Sequence, residues 1–464
     1  MNIIRNSSND VMAFLGGPQK KVKDFKYRFN KFLITTEYED EFVWYNVFTG
    51  AIVSIKDFEA DNVFTDDFCN YADFLVQNYF LVPEQFDEES LIKLFRTRQS
   101  VPITANTLTK LSNFTILTTT KCNARCFYCY QMPVKGKQHM TEETAHKVAR
   151  YIIDTTFENQ KVSLGWFGGE PLYNAKVIDI ITTKVASANR QVHSSIITNG
   201  YLFDEKLCKK AVRDWRIRNV QITLDGTEDV YNKAKNFIYK ESNAFKTVIT
   251  NIHHMLNAGL FVTVRMNVDL HNVENLKELI VYLAEEFKGE EHFKAYVHEL
   301  FDDTRTPEHN KELFNNMNII DDLLTEHGLR ASGAQLPGTI KTVHCMVDDG
   351  KSMVIMPDGT LGVCEHYEAE HFVGHIDNPS NIDLEELKKW RKVSEYQELC
   401  NDCPYKPACL KCDLCPDHKI CDIHEKEYVL HKTKEDLKLF YKNWISQKQS
   451  GCKDGCCTNK NNKK

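Results

Sequence analysis

What the chain lacks narrows its reading first. No run of about 18 apolar residues occurs, so no membrane span is predicted. The opening stretch, MNIIRNSSND, has no apolar core of a secretory signal, which makes a cytoplasmic location the expectation. A basic excess is also missing: 58 Lys and Arg against 65 Asp and Glu give a net charge of −7. That balance gives no broad electrostatic footprint for nucleic acid. The Lys-rich end, Lys460 to Lys464, is short and reads as a solvated tail. No Ser-His-Asp set or acid pair presents itself, so no catalytic side chain is assigned beyond metal ligands.

Cysteine is the exception. Sixteen occur among 464 residues. In a reducing compartment metal binding is a better account of them than disulfides. Their distribution agrees. Cys69 and Cys208 stand alone; three cluster at 122–129; eight lie between Cys345 and Cys421; Cys452, Cys456 and Cys457 sit in the tail. The tail spacing has no interpretable pattern and reads as free thiols.

The length suggests about two to four domains. Residues 1–25, polar with Gly16-Gly17-Pro18, are expected to be poorly ordered. A compact module follows over 26–100. Strands are predicted at Phe32–Tyr38, Phe42–Phe48 and Ala51–Ile55, with a Thr49-Gly50 turn, from β-branched and aromatic enrichment. Helices are predicted at Thr65–Phe80, closed by Val82-Pro83, and at Glu89–Arg98. Residues 99–109 read as a linker. From 111 to 303 strands and helices alternate, starting at Phe114 and ending near Leu300. Thr141 is a candidate N-cap for the first helix. Such alternation implies parallel strands with right-handed crossovers and a partial or full (β/α) barrel, with chemistry at the C-terminal strand ends. A cysteine-rich region covers 340–425, and a helix with a Cys- and Lys-rich tail covers 426–464.

Just after the first barrel strand, Cys122, Cys126 and Cys129 stand in the spacing C-x3-C-x2-C. Three thiolates on one loop suit three irons of a 4Fe–4S cluster, whereas most such clusters take four cysteines. The missing ligand leaves one iron open. A zinc knuckle is the plain alternative, but it wants four ligands, and neither His139 nor His146 has a usual knuckle spacing.

With three further motifs, this segment resembles the radical S-adenosylmethionine superfamily over Phe114 to about Leu300. Gly168-Gly169-Glu170-Pro171 resembles its GGEP motif; Ser195 to Gly200 its S-x-x-T-N-G segment; Leu224-Asp225-Gly226 its L-D-G strand end. The resemblance implies that GGEP holds the methionine amino group and that Ser195 and Asn199 lie near the ribose and carboxylate. Related maturases carry H-(D/N)-x-x-R after L-D-G, whereas this chain has Tyr231-Asn232-Lys233-Ala234-Lys235. Lys235 is the expected replacement for the arginine that grips the carboxylate, although it is a poorer bidentate partner. Arg265 is a second candidate, with a surface salt bridge as its alternative. Tyr128 is expected on the adenine, or else in the core. The implied chemistry is reductive cleavage of S-adenosylmethionine, giving a 5′-deoxyadenosyl radical that takes a hydrogen atom from an unactivated carbon. The electron would come from an external donor of flavodoxin or ferredoxin type.

The second cysteine region resembles the SPASM extension, which houses two auxiliary clusters. By that resemblance Cys400, Cys403, Cys409 and Cys421 would hold auxiliary cluster II. Cys345, Cys364 and Cys412 would hold auxiliary cluster I, with Cys415 as the alternate to Cys412, because one gap is a residue short and Cys415 is extra. Three 4Fe–4S clusters and S-adenosylmethionine are therefore the expected cofactors; structural zinc is the alternative.

The N-terminal module resembles, by element order and position, the winged-helix peptide-recognition element of ribosomal-peptide maturases. That element binds a precursor's leader as an added strand; a structural cap on the barrel is the alternative. The expected fold class is thus α/β: a partial (β/α)6 TIM-like barrel between a winged-helix-like module and a cysteine-rich iron–sulfur domain. The expected activity is a peptide maturase of the thioether-forming sactipeptide or ranthipeptide type, acting on a precursor peptide. A carbon–carbon crosslinking maturase, an anaerobic sulfatase-maturating enzyme making formylglycine, and a non-catalytic zinc-binding interaction protein are the alternatives.

Overall fold

The computed structural model describes residues 1–20, 26–56, 69–99, 110–129, 131, 138–300, 306–331, 336, 340, 346–347, 349–365, 371–389, 398–409 and 421–451. The N-terminal module comprises β1 (Asn2–Arg5), α1 (Asn9–Phe14), β2 (Tyr27–Phe29), β3 (Leu33–Tyr38), β4 (Glu41–Asn46), β5 (Ile52–Lys56), α2 (Cys69–Gln77), β6 (Leu81–Pro83) and α3 (Glu88–Gln99). Its main sheet is antiparallel in the order β1-β5-β4-β3. Period-two alternation sends Val43, Tyr45 and Ile52 to one face and Trp44, Val53 and Ile55 to the other, and each face has its own buried core.

Two expectations for this module are corrected. The first 25 residues are not all poorly ordered: β1 pairs with β5, Asn2 opposite Ser54, and Val11 of α1 is fully buried against Phe32 and its neighbours. Strand pairing is non-local, so a polar local composition hid it. The helix before Val82-Pro83 ends at Gln77, not at Phe80. Tyr79 takes a left-handed φ of 59° there, and Leu81–Pro83 become a strand paired with β2.

The barrel runs β7 (Asn113–Thr119), α4 (Glu142–Asp154), β8 (Lys161–Gly168), α5 (Ala175–Ser187), β9 (Gln191–Thr198), α6 (Glu205–Arg213), β10 (Ile217–Thr223), α7 (Glu228–Lys235), α8 (Ala244–Asn257), β11 (Phe261–Val268), α9 (Val273–Glu286) and β12 (Phe293–Glu299). β7 to β12 are neighbours in chain order and parallel. The α/β class and the partial barrel are as expected. Thr141 caps α4, its Oγ1 accepting from Thr144 N at 3.0 Å. Helix α7 escaped the sequence reading; its polar run, Glu228 to Lys235, shows little apolar period.

Strand alternation makes the barrel useful. Ile116, Trp166, Ile196 and Val220 lie side by side in register and are buried in one core with the helices. The alternate row, Thr115, Gly165 and Ser195, faces the opposite side, as do Thr223, Arg265 and Tyr296. That inner face is polar and partly accessible.

Beyond the barrel come α10 (Pro307–Glu326), β13 (Ser352–Ile355), β14 (Thr360–Gly362), β15 (Phe372–His375), α11 (Leu384–Lys389) and α12 (Ile423–Gly451). β13 adds in parallel to β7, extending the sheet to nine strands, and the Met356–Gly359 turn joins β13 to β14 as expected. Helix α12 belongs to the N-terminal module's core. Leu437 is fully buried and Tyr441 nearly so, among Val43, Tyr45 and Ile52, and the Tyr441 hydroxyl reaches Glu41 and Ser54. No helix among the described residues is long and apolar enough to cross a membrane.

Replacing Leu437 with Ala should leave a cavity in this core and cost about 2–5 kcal/mol. Hydrogen exchange of the β3–β5 amides in the L437A chain is expected to speed up accordingly; unchanged protection there would separate α12 from the module.

Candidate active site

The site begins where β7 and β8 end. Gly169 N donates to Thr119 O at 2.9 Å and Glu170 N to Lys121 O at 3.0 Å, so the turn after β8 is bonded directly to the turn after β7. Gly168 has a φ of +130°, and a Cβ there would overlap the Thr119 carbonyl; a Cβ on Gly169 would lie 2.5 Å from Lys121 O. The paired glycines are thus required by close backbone approach. Asn174 adds a second tie, its Nδ2 donating to Thr118 O and Met140 O at 3.0 and 2.9 Å.

The loop so fixed carries Cys122, Cys126 and Cys129. Ala124 N donates to Cys122 Sγ at 3.4 Å, Asn199 Nδ2 to the same sulfur at 3.8 Å, and Cys129 N to Cys126 O at 3.3 Å. Burial pushes the Cys122 thiol up to about 11 and raises Cys126, so ligation by thiolate is coupled to proton release. Among the described residues no three His, Cys, Asp or Glu side chains converge on one ion-sized site. A four-iron cluster spreads its thiolates around a cube and does not need that convergence. Asn123, next to Cys122, is fully buried; among the described residues its Nδ2 finds no hydrogen-bond partner, while its Oδ1 accepts from Asn199 at 2.6 Å. An orphaned donor next to Cys122, within a three-thiol loop, fits an iron–sulfur cluster and its ligand.

Glu170 sits beneath the loop, fully buried. Its carboxylate accepts from Thr198 Oγ1 at 2.8 Å, Asn199 N at 2.9 Å and Leu172 N at 3.0 Å. It therefore braces the GGEP turn to the T-N-G segment. Burial pushes its carboxyl up to about 7 despite these three donors.

A second buried network lies on the other flank. Lys235 Nζ pairs with Asp225 Oδ2 at 2.9 Å and donates to the Tyr128 hydroxyl at 2.6 Å; that hydroxyl also donates to Asp225. Asn267 Nδ2 donates to Asp225 Oδ1 at 2.8 Å, and Arg265 Nε donates to Asn267 Oδ1 at 2.9 Å. The Arg265 Nη2 meets His298 Nδ1 at 3.0 Å. Burial is the largest single influence on the Lys235 ammonium and opposes it, but Asp225, Tyr128 and Cys126 together outweigh burial and hold the pKa well above its usual value. Lys235 also lowers the Cys126 thiol's pKa against the stronger upward effect of burial. This chain of contacts runs from β11 and β12 to the cysteine loop.

The sequence-predicted residues therefore fall into two groups. Tyr128, Gly168, Gly169, Glu170, Pro171, Asn199, Asp225 and Lys235 are brought together at the strand ends with the three cysteines. Ser195 and Arg265 face the inner side of the barrel; Ser195 lies beside Gly165, deeper than Asn199. Among the described residues Arg265 forms no salt bridge; it bonds Asn267 and His298 instead. Asn123, Thr198 and Asn267 escaped assignment as site residues. The first two lie inside motifs, and Asn267 is two residues beyond Arg265 on the same strand face.

In the second cysteine region, Cys400, Cys403 and Cys409 lie on successive tight turns, with Cys403 N donating to Cys400 O at 3.2 Å and Cys409 N to Lys406 O at 3.2 Å. Cys421 precedes α12, and Lys426 of that helix reaches Leu399 O at 3.2 Å, placing the helix start beside the Cys400 turn. Cys364 follows β14. Cys345, Cys412, Cys415 and the tail cysteines lie outside the described residues.

Residues 116–283 match the Radical SAM superfamily. The barrel of this chain is a radical S-adenosylmethionine domain, a class that uses a 4Fe–4S cluster and S-adenosylmethionine. Among curated proteins, the radical SAM cyclopropyl synthase TigE of Paramaledivibacter caminithermalis is 27% identical over 163 residues, covering 29% of this chain and 34% of that protein. The PqqA peptide cyclase of Granulibacter bethesdensis is 26% identical over 165 residues, covering 35% and 41%. The chain thus spans well under half the length of these relatives. Native anSMEcpe with bound AdoMet shares the fold, with a TM-score of 0.54 at 17% identity, over 73% of this chain and 99% of that one.

Two outcomes follow from the geometry. Gly169→Ala should abolish iron retention after anaerobic reconstitution, because the added methyl drives the GGEP turn off the cysteine loop; iron content equal to wild type would refute the clamp. Glu170 titrates near 7 when folded against about 4.5 unfolded, so the folded state binds the extra proton between those values. Its contribution is complete below pH about 4.5 and is lost as pH rises through about 7. The metal-free wild type should therefore lose stability relative to E170Q across that window, read by urea unfolding at several pH values.

Proposed function

We propose that this chain is a radical S-adenosylmethionine maturase that crosslinks a ribosomally made precursor peptide. The observation that carries the radical step is the three-thiol loop fixed by Gly168-Gly169, with the Asn123 Nδ2 inside it lacking a partner among the described residues. Cys122, Cys126 and Cys129 would hold the cluster, and with S-adenosylmethionine bound it supplies a 5′-deoxyadenosyl radical. The chain's own residues position and shield that reaction. Gly168 to Pro171 offer the turn for the methionine amino group; Asn199 and Ser195 line the path toward the ribose. The buried Asp225 and Lys235, with the half-buried Tyr128, form the wall behind Cys126. The inner barrel face, with Gln221, Arg265, Tyr296 and His298, offers polar contacts to a peptide backbone or side chain; Tyr296 already bonds Gln221 at 3.0 Å.

The substrate reading rests on the N-terminal module. Its sheet is covered on both faces, which leaves strand edges as the place for an added peptide strand. Cys400, Cys403, Cys409 and Cys421 would hold auxiliary cluster II, and Cys364 with Cys345 and Cys412 or Cys415 auxiliary cluster I. An external flavodoxin- or ferredoxin-type donor would supply the electron. The product we favour is a thioether from a cysteine sulfur to a carbon of the same peptide. Likeness to a cyclopropyl synthase favours a carbon–carbon bond as the second reading.

Anaerobically reconstituted, dithionite-reduced protein is expected to convert S-adenosylmethionine to 5′-deoxyadenosine, and C126A to form none; no product from the wild type would overturn the radical reading. Co-expression with a cysteine-containing peptide encoded beside the gene should remove two hydrogens from that peptide. A thioether leaves the crosslinked cysteine unable to react with iodoacetamide, whereas a carbon–carbon bond leaves it reactive.

A further inference from the structure

Helix α3 of the N-terminal module reaches far along the chain, to the second cysteine region. Arg96 is 5% exposed. Its Nη2 donates to Lys406 O and to Pro407 O, both at 3.1 Å. These carbonyls belong to the turn that delivers Cys409, where Ala408 N donates to Tyr405 O at 2.9 Å and Cys409 N to Lys406 O at 3.2 Å. Lys406, also 5% exposed, pairs through Nζ with Glu89, two turns before Arg96 on the same face of α3. Ala408 is fully buried and packs with Phe95 and Leu437 in the module's core. So two charged side chains of one helix grip a tight turn more than 300 residues away, and the turn is itself part of the module's core. The Arg96 guanidinium lies near enough to Cys409 to interact with its sulfur.

We propose that Arg96 is a positioning residue for auxiliary cluster II: it fixes the turn carrying Cys409 and keeps a permanent positive charge beside that ligand. The inference rests on the reading that Cys400, Cys403, Cys409 and Cys421 hold a cluster. Its physical content has two parts. A guanidinium whose Nη2 bridges two consecutive carbonyls sets the direction of a ligand as outer hydrogen bonds do at other metal sites. A buried positive charge near a cluster stabilises its more negative, reduced form and raises its potential. Because Arg96 and Glu89 sit on the same helix, occupancy of this cluster and packing of the N-terminal module are linked, and each favours the other.

The test uses the full chain with Cys122, Cys126 and Cys129 replaced by Ala, so that signals from the remaining clusters stand alone. Iron and sulfide per chain, their loss during desalting, and midpoint potentials from redox titration followed by electron paramagnetic resonance are compared for this parent, R96Q and R96K. R96Q should shift one cluster's midpoint to a more negative potential and lose iron faster. R96K keeps the charge but its shorter side chain cannot place a donor where Nη2 bridges the two carbonyls, so it should recover the midpoint while still losing iron faster than the parent. Parental midpoint and parental iron loss in R96Q would overturn the proposal. Should R96Q fail to fold, R96K decides, since iron loss at the parental rate would equally overturn it. C400A/C403A is the separate control: if it retains the parent's iron, the cluster reading itself falls, and the proposal with it.

Discussion

The candidate site depends on one close approach of two backbones. Gly168 and Gly169 lie against Thr119 and Lys121 at a distance no side chain tolerates. Two interstrand-like hydrogen bonds hold them there. That contact orients the cysteine loop, and the Glu170 carboxylate carries it on to β9 through Thr198 and Asn199. Within that loop, burial makes Cys122 and Cys126 reluctant to ionise. Metal binding must displace those protons, and a loop already fixed loses less entropy in doing so.

The opposite flank works by charge. Asp225 and Lys235 are buried together beside the half-buried Tyr128, and a buried ion pair is sustained only when its remaining donors and acceptors are satisfied. Asn267 supplies one of these contacts and ties the pair to Arg265 and His298 on the inner barrel face. The polar inner face and the cysteine loop are therefore parts of one hydrogen-bonded structure. This suits a reaction in which a radical must be generated beside a substrate and kept from water.

The ends of the chain meet. Helix α12 and the Tyr405–Ala408 turn complete the core of the N-terminal module, so the module and the second cysteine region are not independent units. Little of this was legible in advance. The strands β3 to β5 announce themselves by β-branched and aromatic residues, but the pairing of Asn2–Arg5 with β5 and the burial of Leu437 against Val43 are long-range facts without a local signature. The barrel order was legible because β/α alternation leaves one topology open to parallel strands with right-handed crossovers. Helix α7 was not, since its surface is mostly polar.

The sequence by itself determined the chemistry offered: three cysteines in a C-x3-C-x2-C spacing, the motifs after successive strands, and an alternation that puts them all at one end of a barrel. Those follow from local spacing and from the small number of ways parallel strands connect. Only the tertiary structure decided which partners these residues take. It turned Lys235 toward Asp225 and Tyr128, drew Asn267 and Arg265 into the same network, and brought Arg96 to the Cys409 turn. Side-chain partners across hundreds of residues are set by how cores close on one another, and no local pattern encodes that.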